Sequence, residues 1–302
     1  MTKAVPHISA CICTFRRPAL LQQLLQRLPD QKTGGLFTFS IVVADNDASR
    51  SAEPAVSGFA ATSSVPVTYC VETQQNIALA RNKVVENAQG EFIAFIDDDE
   101  LPADDWLLRL FETLLQYDVA GVLGPVKPSF ERTPANWMVK GRFFERPSYT
   151  TGHKLRWSDT RSGNVLFRKA ILDPGEPPFR AQFETMAEDL DFFRRMIDRG
   201  CAFIWCNEAV VHEIIPTSRC NRTYLLKRGL LRGSNYRKHP SNHFRGAVTS
   251  LIAVPCYTVA LPFLALFGQH LFLNYAIKLC DHVSRLLALM GWPLITSRSS
   301  LA

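Results

Sequence analysis

No C-x-x-C pair occurs among the eight cysteines of this 302-residue sequence (Cys11, Cys13, Cys70, Cys201, Cys206, Cys220, Cys256 and Cys280), which leaves zinc ribbons and thioredoxin chemistry without support. Neither G-x-G-x-x-G nor G-x-x-x-x-G-K-[ST] is present, so dinucleotide and P-loop sites lack their phosphate cradle. No period of 20–50 residues repeats, which argues against solenoids and propellers. The N-terminal stretch MTKAVPHISACICTF has no continuous apolar core and no A-x-A site, so it does not read as a secretory signal. The expectation is a cytosolic body with reduced thiols. Acid is nearly missing from the end of the chain. From Ile214 onward eleven Lys/Arg face one acid, Asp281, while residues 1–213 hold 23 basic and 27 acidic side chains. A mildly acidic body with a basic, apolar tail is not a diffuse nucleic-acid binder; it suits a soluble domain held against an anionic membrane surface.

Apolar residues make up 47% and charged residues 21% of the chain, which excludes a disordered protein. Short apolar runs at 8–13, 39–44, 67–71, 92–96 and 119–123 predict buried strands. Between them, helical spacing predicts helices from Pro18, over 78–88 and over 104–116. This alternation argues an α/β fold with a mostly parallel sheet covered on both faces, and such sheets bind ligands beyond the carboxyl ends of their strands. The segment 125–187 is irregular and rich in Pro and Gly. A helix is predicted over 188–199, with short strands at 203–205 and 209–211.

Asp97, Asp98 and Asp99 follow the fourth strand directly. Three adjacent carboxylates repel unless a cation or hydrogen-bond donors neutralise them, and hard divalent ions take such oxygens together with phosphate. A solvated helix-capping turn is the competing explanation, weakened by the position at a strand end. Glu188 and Asp189 open an amphipathic helix, as helix-dipole acids or as a general base fixed on a rigid element. Asp45 ends the second strand, Arg81 lies on the helix after the third, and an Asp can accept from a nucleobase N–H while an Arg pairs with it. His212, after a short apolar run, is a metal ligand only if it converges on the Asp cluster.

In order, the pieces ISACICTFRRP, VVADNDAS, QQNIALARNKVVENAQGEFIAFIDDDE, SGNVLFRK, AEDLDFFRRMIDRG and EAVVHEIIPTSR resemble an inverting family 2 glycosyltransferase of the GT-A fold. Within that family they are most similar to bacterial exopolysaccharide transferases of the succinoglycan type. The likeness runs over about residues 7–235. It implies a UDP-sugar donor, a glycan acceptor that is lipid-linked, and Mn²⁺ or Mg²⁺. It places Thr14 and Asp45 at the uracil with Arg81 supporting Asp45, Asp97 and Asp98 on the nucleotide side, Asp99 and His212 on the metal, Asp189 as base beside Glu188, and Gly163 and Asn164 on the acceptor side. One departure stands out: Ala187 occupies the usual glycine position of Gly-Glu-Asp, which bears on the local loop geometry. A metal-dependent nucleotidyltransferase and a membrane-bound, non-catalytic scaffold of a polysaccharide assembly complex are the alternatives from other classes.

The expected division is a catalytic domain over 1–225 and a C-terminal membrane-associated region over 226–302. Residues 246–277 carry no Asp, Glu, Lys or Arg, enough to cross a bilayer core of ~20 helical residues, although Pro255 and Pro262 interrupt the run. Over 271–292, Phe272, Ala276, Leu279, Val283, Leu286, Leu287 and Met290 share one face, opposite Lys278, Asp281, His282 and Arg285, as in an interfacial helix. Packing of both segments onto the catalytic domain is the competing expectation. The basic flank would keep the catalytic domain on the cytoplasmic face.

Overall fold

The computed structural model describes residues 5–184, 187–238 and 243–295. Strands β1 (His7–Thr14), β2 (Thr38–Asp45), β3 (Val67–Val71) and β4 (Phe92–Phe95) alternate with helices α1 (Pro18–Arg27), α2 (Glu53–Ala60) and α3 (Ile77–Asn87). Then come β5 (Glu100–Pro102), α4 (Trp106–Tyr117), β6 (Gly121–Leu123), β7 (Val126–Phe130), α5 (Asn136–Gly141), β8 (Val165–Arg168), α6 (Glu188–Asp198), β9 (Phe203–Trp205) and β10 (Val211–Ile215). The chain continues through α7 (Arg222–Ser234), α8 (His243–Phe267) and α9 (Gln269–Leu289).

The main sheet has the order β3-β2-β1-β4-β8-β6-β9. It is parallel apart from β8, which lies antiparallel between β4 and β6. Its strands are largely apolar because both faces are covered. Ile8, Ile12, Ile41 and Val43 point into one core with Leu21, Leu24 and Phe111. Cys11, Val42 and Ala44 point the other way, toward Ala80, Val84 and Phe192. A second, three-stranded sheet orders β5-β10-β7, with Val211 opposite Pro102 and Glu213 opposite Glu100.

Two compact units result: Met1–Lys127, Arg146–Glu184 and Glu188–Glu213 form one, and Pro128–Glu145, Thr185–Ala187 and Ile214–Ala302 the other. The second has its own apolar centre, with Met138, Phe144, Ile215, Leu225 and Leu273 buried together. Its helices α7 and α9 touch backbone to backbone. A Cβ on Gly229 would lie 2.8 Å from the Ile277 carbonyl oxygen, and one on Gly233 2.2 Å from that of Asp281, so both positions require glycine.

Two expectations for the tail change here. The charge-free run is not one segment, because Gly268, at φ +126°, separates α8 from α9. Pro255 and Pro262 are carried inside α8 and do not end it. Part of the charged side of α9 also turns inward, while Lys278 stays exposed. Asp281 is buried and pairs with Arg232 of α7 at 3.3 Å and with Arg285 at 3.2 Å, and Ser284 bonds Ser234 of α7 at 2.8 Å. Helix α9 is therefore a packing helix of this unit and not an interfacial one. The exposed apolar surface belongs to α8, where Leu251, Ile252, Val259, Phe263, Leu266 and Phe267 face outward. Phe244–Phe267 is long and apolar enough to cross a membrane. Its hydroxyls are satisfied on the helix itself: Thr249 and Thr258 donate to the Arg245 and Val254 carbonyls, at 2.8 Å each.

Candidate active site

Strand β4 runs out into Asp97, Asp98 and Asp99 in the middle of the main sheet, and the backbone then folds back into β5. The turn is held from several sides. Thr14, at the end of neighbouring β1, donates to Asp98 Oδ2 at 2.8 Å. Arg17, which precedes α1, bridges Asp98 at 3.2 Å and Asp99 at 3.3 Å. Glu100, fully buried, accepts from the Asp97 N–H at 3.1 Å. Arg146 lies 3.9 Å from Glu100 and pairs closely with Glu213 across β10. Burial drives the Asp98 pKa up to about 6 despite Arg17, with Asp99 and Asp97 adding to the rise. Burial, with Asp97 and Asp99 nearby, likewise holds Glu100 well above the usual carboxylate range. Three arginines, Arg17, Arg146 and Arg81, therefore face a turn of four acidic residues.

Such a donor set fits a hard divalent ion. Among the described residues no three His, Cys, Asp or Glu side chains are grouped as ligands. Magnesium-like ions need only one or two protein carboxylates, and phosphate oxygens and water complete the shell. Asp99, paired with Arg17, and Asp97, near Arg81, are the carboxylates that would turn to such an ion.

Gly163 packs directly on the acidic turn. A Cβ there would meet Glu100 Oε1 at 2.8 Å and Asp97 Oδ2 at 2.9 Å. Its neighbour Ser162 donates its backbone N–H (3.3 Å) and its hydroxyl (3.5 Å) to Asp189 Oδ2. The other Asp189 oxygen caps the N–H of Leu190 at 2.8 Å. Two consecutive residues therefore join the acidic turn to the first turn of α6. Arg81 makes a second link, pairing closely with Glu188 and lying 3.7 Å from Asp97. Burial alone would lower the Arg81 pKa, but Glu188, Asp189 and Asp97 hold it above its ordinary value.

Four of the expected site residues have other partners or surroundings in the structure. Arg81 does not support Asp45, since its guanidinium is directed at Glu188 and Asp97. Asp45 is fully buried and accepts from the N–H groups of Asp47 (3.2 Å) and Ala52 (2.7 Å) and from the Tyr69 hydroxyl (3.0 Å), so it fastens its own loop. Asn164 is also fully buried, in the left-handed region at φ +61°. Its amide donates to the Pro125 and Ala209 carbonyls, at 3.0 and 2.7 Å, and accepts from Trp106 Nε1 at 2.7 Å. It positions Gly163 and offers nothing to an acceptor. His212 is exposed on β10, opposite Leu101. Strand alternation sends it to the face away from Glu213, the neighbour that reaches Arg146. Arg17, Glu100, Arg146 and Glu213 complete the site without having been singled out from the sequence. The one available signal was Arg17 immediately beyond a strand end.

A sequence model of the family "Glycosyl transferase family 2" matches residues 9–173. The chain is 33% identical over 240 residues to the succinoglycan biosynthesis protein ExoM of Rhizobium meliloti (strain 1021), covering 76% of this chain and 74% of that protein. The mannosyltransferase PcManGT from Pyrobaculum calidifontis, solved with GDP-Man and Mn²⁺, superposes with a TM-score of 0.61 at 18% identity, over 93% of this chain and 87% of that chain. S. aureus TarS 1–349, solved with UDP, gives 0.54 at 16% identity, over 94% and 91%. At these identities the two structures attest the shared fold.

Proposed function

Because the chain belongs to glycosyltransferase family 2, we propose that it transfers a sugar from a UDP-sugar to a hydroxyl of a glycan acceptor in exopolysaccharide synthesis, with inversion at the anomeric carbon. The observation that carries this reading is the Ser162–Gly163 link, which sets the Asp189 carboxylate beside the acidic turn. The UDP-bound and GDP-Man-bound neighbours support a nucleotide-sugar donor, and the family match weighs against the nucleotidyltransferase alternative.

The nucleotide lies over the ends of β1 and β4, where Thr14, Asp97 and Asp98 meet it. Arg17 and Arg81 supply positive charge to the diphosphate. Asp99, with Asp97, would hold Mn²⁺ or Mg²⁺, which when bound stabilises charge on the departing diphosphate. Asp189 takes the proton from the attacking hydroxyl, a contribution of ~10²–10⁴-fold. Its two oxygens are fixed by Ser162 and Leu190, so the base is oriented before substrate arrives. Glu188 is committed to Arg81 and positions α6. A single displacement on the face opposite the leaving group inverts the centre and needs no covalent enzyme intermediate.

The acceptor is lipid-linked, and the exposed α8 face, preceded by the basic stretch 214–245, supports attachment to the cytoplasmic face of a membrane. Asp189→Asn keeps the shape and removes the basicity. Turnover of radiolabelled UDP-sugars should fall by at least ~10²-fold with UDP affinity little changed. Activity within a few-fold of the parent would assign the proton to another group.

A further inference from the structure

Helix α8 is apolar along most of its length, but its two sides meet different surroundings. Val248, Ile252, Val259 and Leu266, spaced four and seven residues apart, form one exposed stripe, with Leu251, Pro255 and Phe263 beside it. Exposed apolar residues continue along this helix from Phe244 to Phe267. The opposite side is occupied by α9. Ser250 Oγ lies 2.9 Å from His282 Nδ1, and the Tyr257 ring meets those of Tyr275 and His282 at 5.4 and 5.7 Å. Seven residues up α8 thus correspond to seven down α9, and the two helices lie antiparallel, side by side. This register sets Asp281 level with Leu251 and Lys278 level with Val254, next to the midpoint of α8 at Pro255.

We propose that α8 lies along the membrane surface within one leaflet, its exposed stripe in the acyl boundary and α9 on the water side, and does not cross the bilayer. The proposal rests on the membrane reading above and fixes which way the helix lies. Length and composition alone allow a crossing, but the register opposes it. A helix standing across the bilayer places its midpoint at the centre of the hydrocarbon. There α8 would bring along Lys278, which is exposed, and Asp281 with its partners Arg232 and Arg285. Charged side chains are rare and costly at that depth. Laid flat, the same helix puts the whole stripe into the apolar boundary and leaves those four charges in water or among headgroups. Charge complementarity points to an anionic surface. The basic stretch 214–245 leads directly into α8, and Arg245 is exposed in its first turn.

The test measures depth at four points of the stripe on the full chain. Cys256, the one exposed cysteine of the eight, is replaced in C256S, and a single cysteine is then introduced as Val248→Cys, Ile252→Cys, Val259→Cys or Leu266→Cys. Each is labelled briefly with bimane, and C256S alone gives the background from the less exposed thiols. The labelled proteins are bound to vesicles of phosphatidylethanolamine and phosphatidylglycerol that carry a nitroxide either near the headgroup or near the chain end. Thermal midpoints equal to that of the parent serve as the check on folding. All four labels should report one shallow depth, each quenched at least about twofold more by the headgroup-side nitroxide than by the chain-end one. A crossing helix spreads positions 248 to 266 over ~27 Å of depth, with 252 and 259 the most quenched by the chain-end nitroxide. That profile would overturn the proposal, as would a depth that increases steadily from 248 to 266, the mark of a hairpin inserted tip first. A parent chain that does not sediment with these vesicles would overturn the membrane reading itself, and this proposal with it.

Discussion

Ala187 shows how one residue can carry both legible and hidden information. As a departure from Gly-Glu-Asp it is visible in the sequence, and the structure gives its consequence: φ +74°, in the region that favours glycine. An L-residue there stores on the order of 1 kcal/mol, two residues ahead of the proposed base, Asp189. Stability by denaturant titration should therefore rank Ala187→Gly at or above the parent and Ala187→Val below it by more than ~1 kcal/mol. Asp98 offers a pH test. Its pKa is raised from 3.8 to about 6, so between those values the folded chain holds a proton that the unfolded chain has lost. The group's contribution to stability thus declines as pH climbs from about 4 to about 6 and is constant above. In metal-free buffer, Asp98→Asn should gain stability relative to the parent over that interval, and a flat difference would contradict the assignment. The three aspartates, Gly163 and Asp189 could be found by position or resemblance. Arg146 could not, because Glu213 is 67 residues away, and Arg17, although it lies just beyond a strand end, meets Asp98, 81 residues away, only in the closed fold.

At the scale of elements, long apolar runs were readable and short antiparallel ones were not. Strand β8 has four residues in a Pro- and Gly-rich stretch, so nothing local announces it. It earns its place by pairing between β4 and β6, which carries Gly163 onto the acidic turn. In the tail, periodicity identified two apolar segments and an exposed Lys278, but it could not show that Asp281 is matched by arginines and buried. Close approach of α7 and α9 depends on the spacing of Gly229 and Gly233. Gly233→Leu should push the helices apart and cost upward of ~1–3 kcal/mol, seen as a lower thermal midpoint, while UDP binding is retained below that midpoint.

For the whole molecule, the membrane reading is tested best without truncation, because removing α8 and α9 would strip the cover from α7. Replacing exposed Leu251, Phe263 and Leu266 with aspartate leaves that packing intact. The parent should sediment with anionic vesicles and the triple variant should not; equal sedimentation would locate the attachment elsewhere. The path of the chain between its two units has a consequence for biosynthesis. The catalytic sheet has its last strand, β9, only at residues 203–205, well beyond the span 9–173 that the family match covers. Until then β6 lacks its outer neighbour and α6 has not delivered Asp189. Helix α8 follows later still, from His243. Translation adds about 5–20 residues per second, and domains fold in the order they emerge. The nascent chain therefore has its complete set of strands before its most apolar helix is made, so a nascent chain whose first 213 residues have emerged from the ribosome should carry a domain able to bind UDP before its apolar helix can reach lipid.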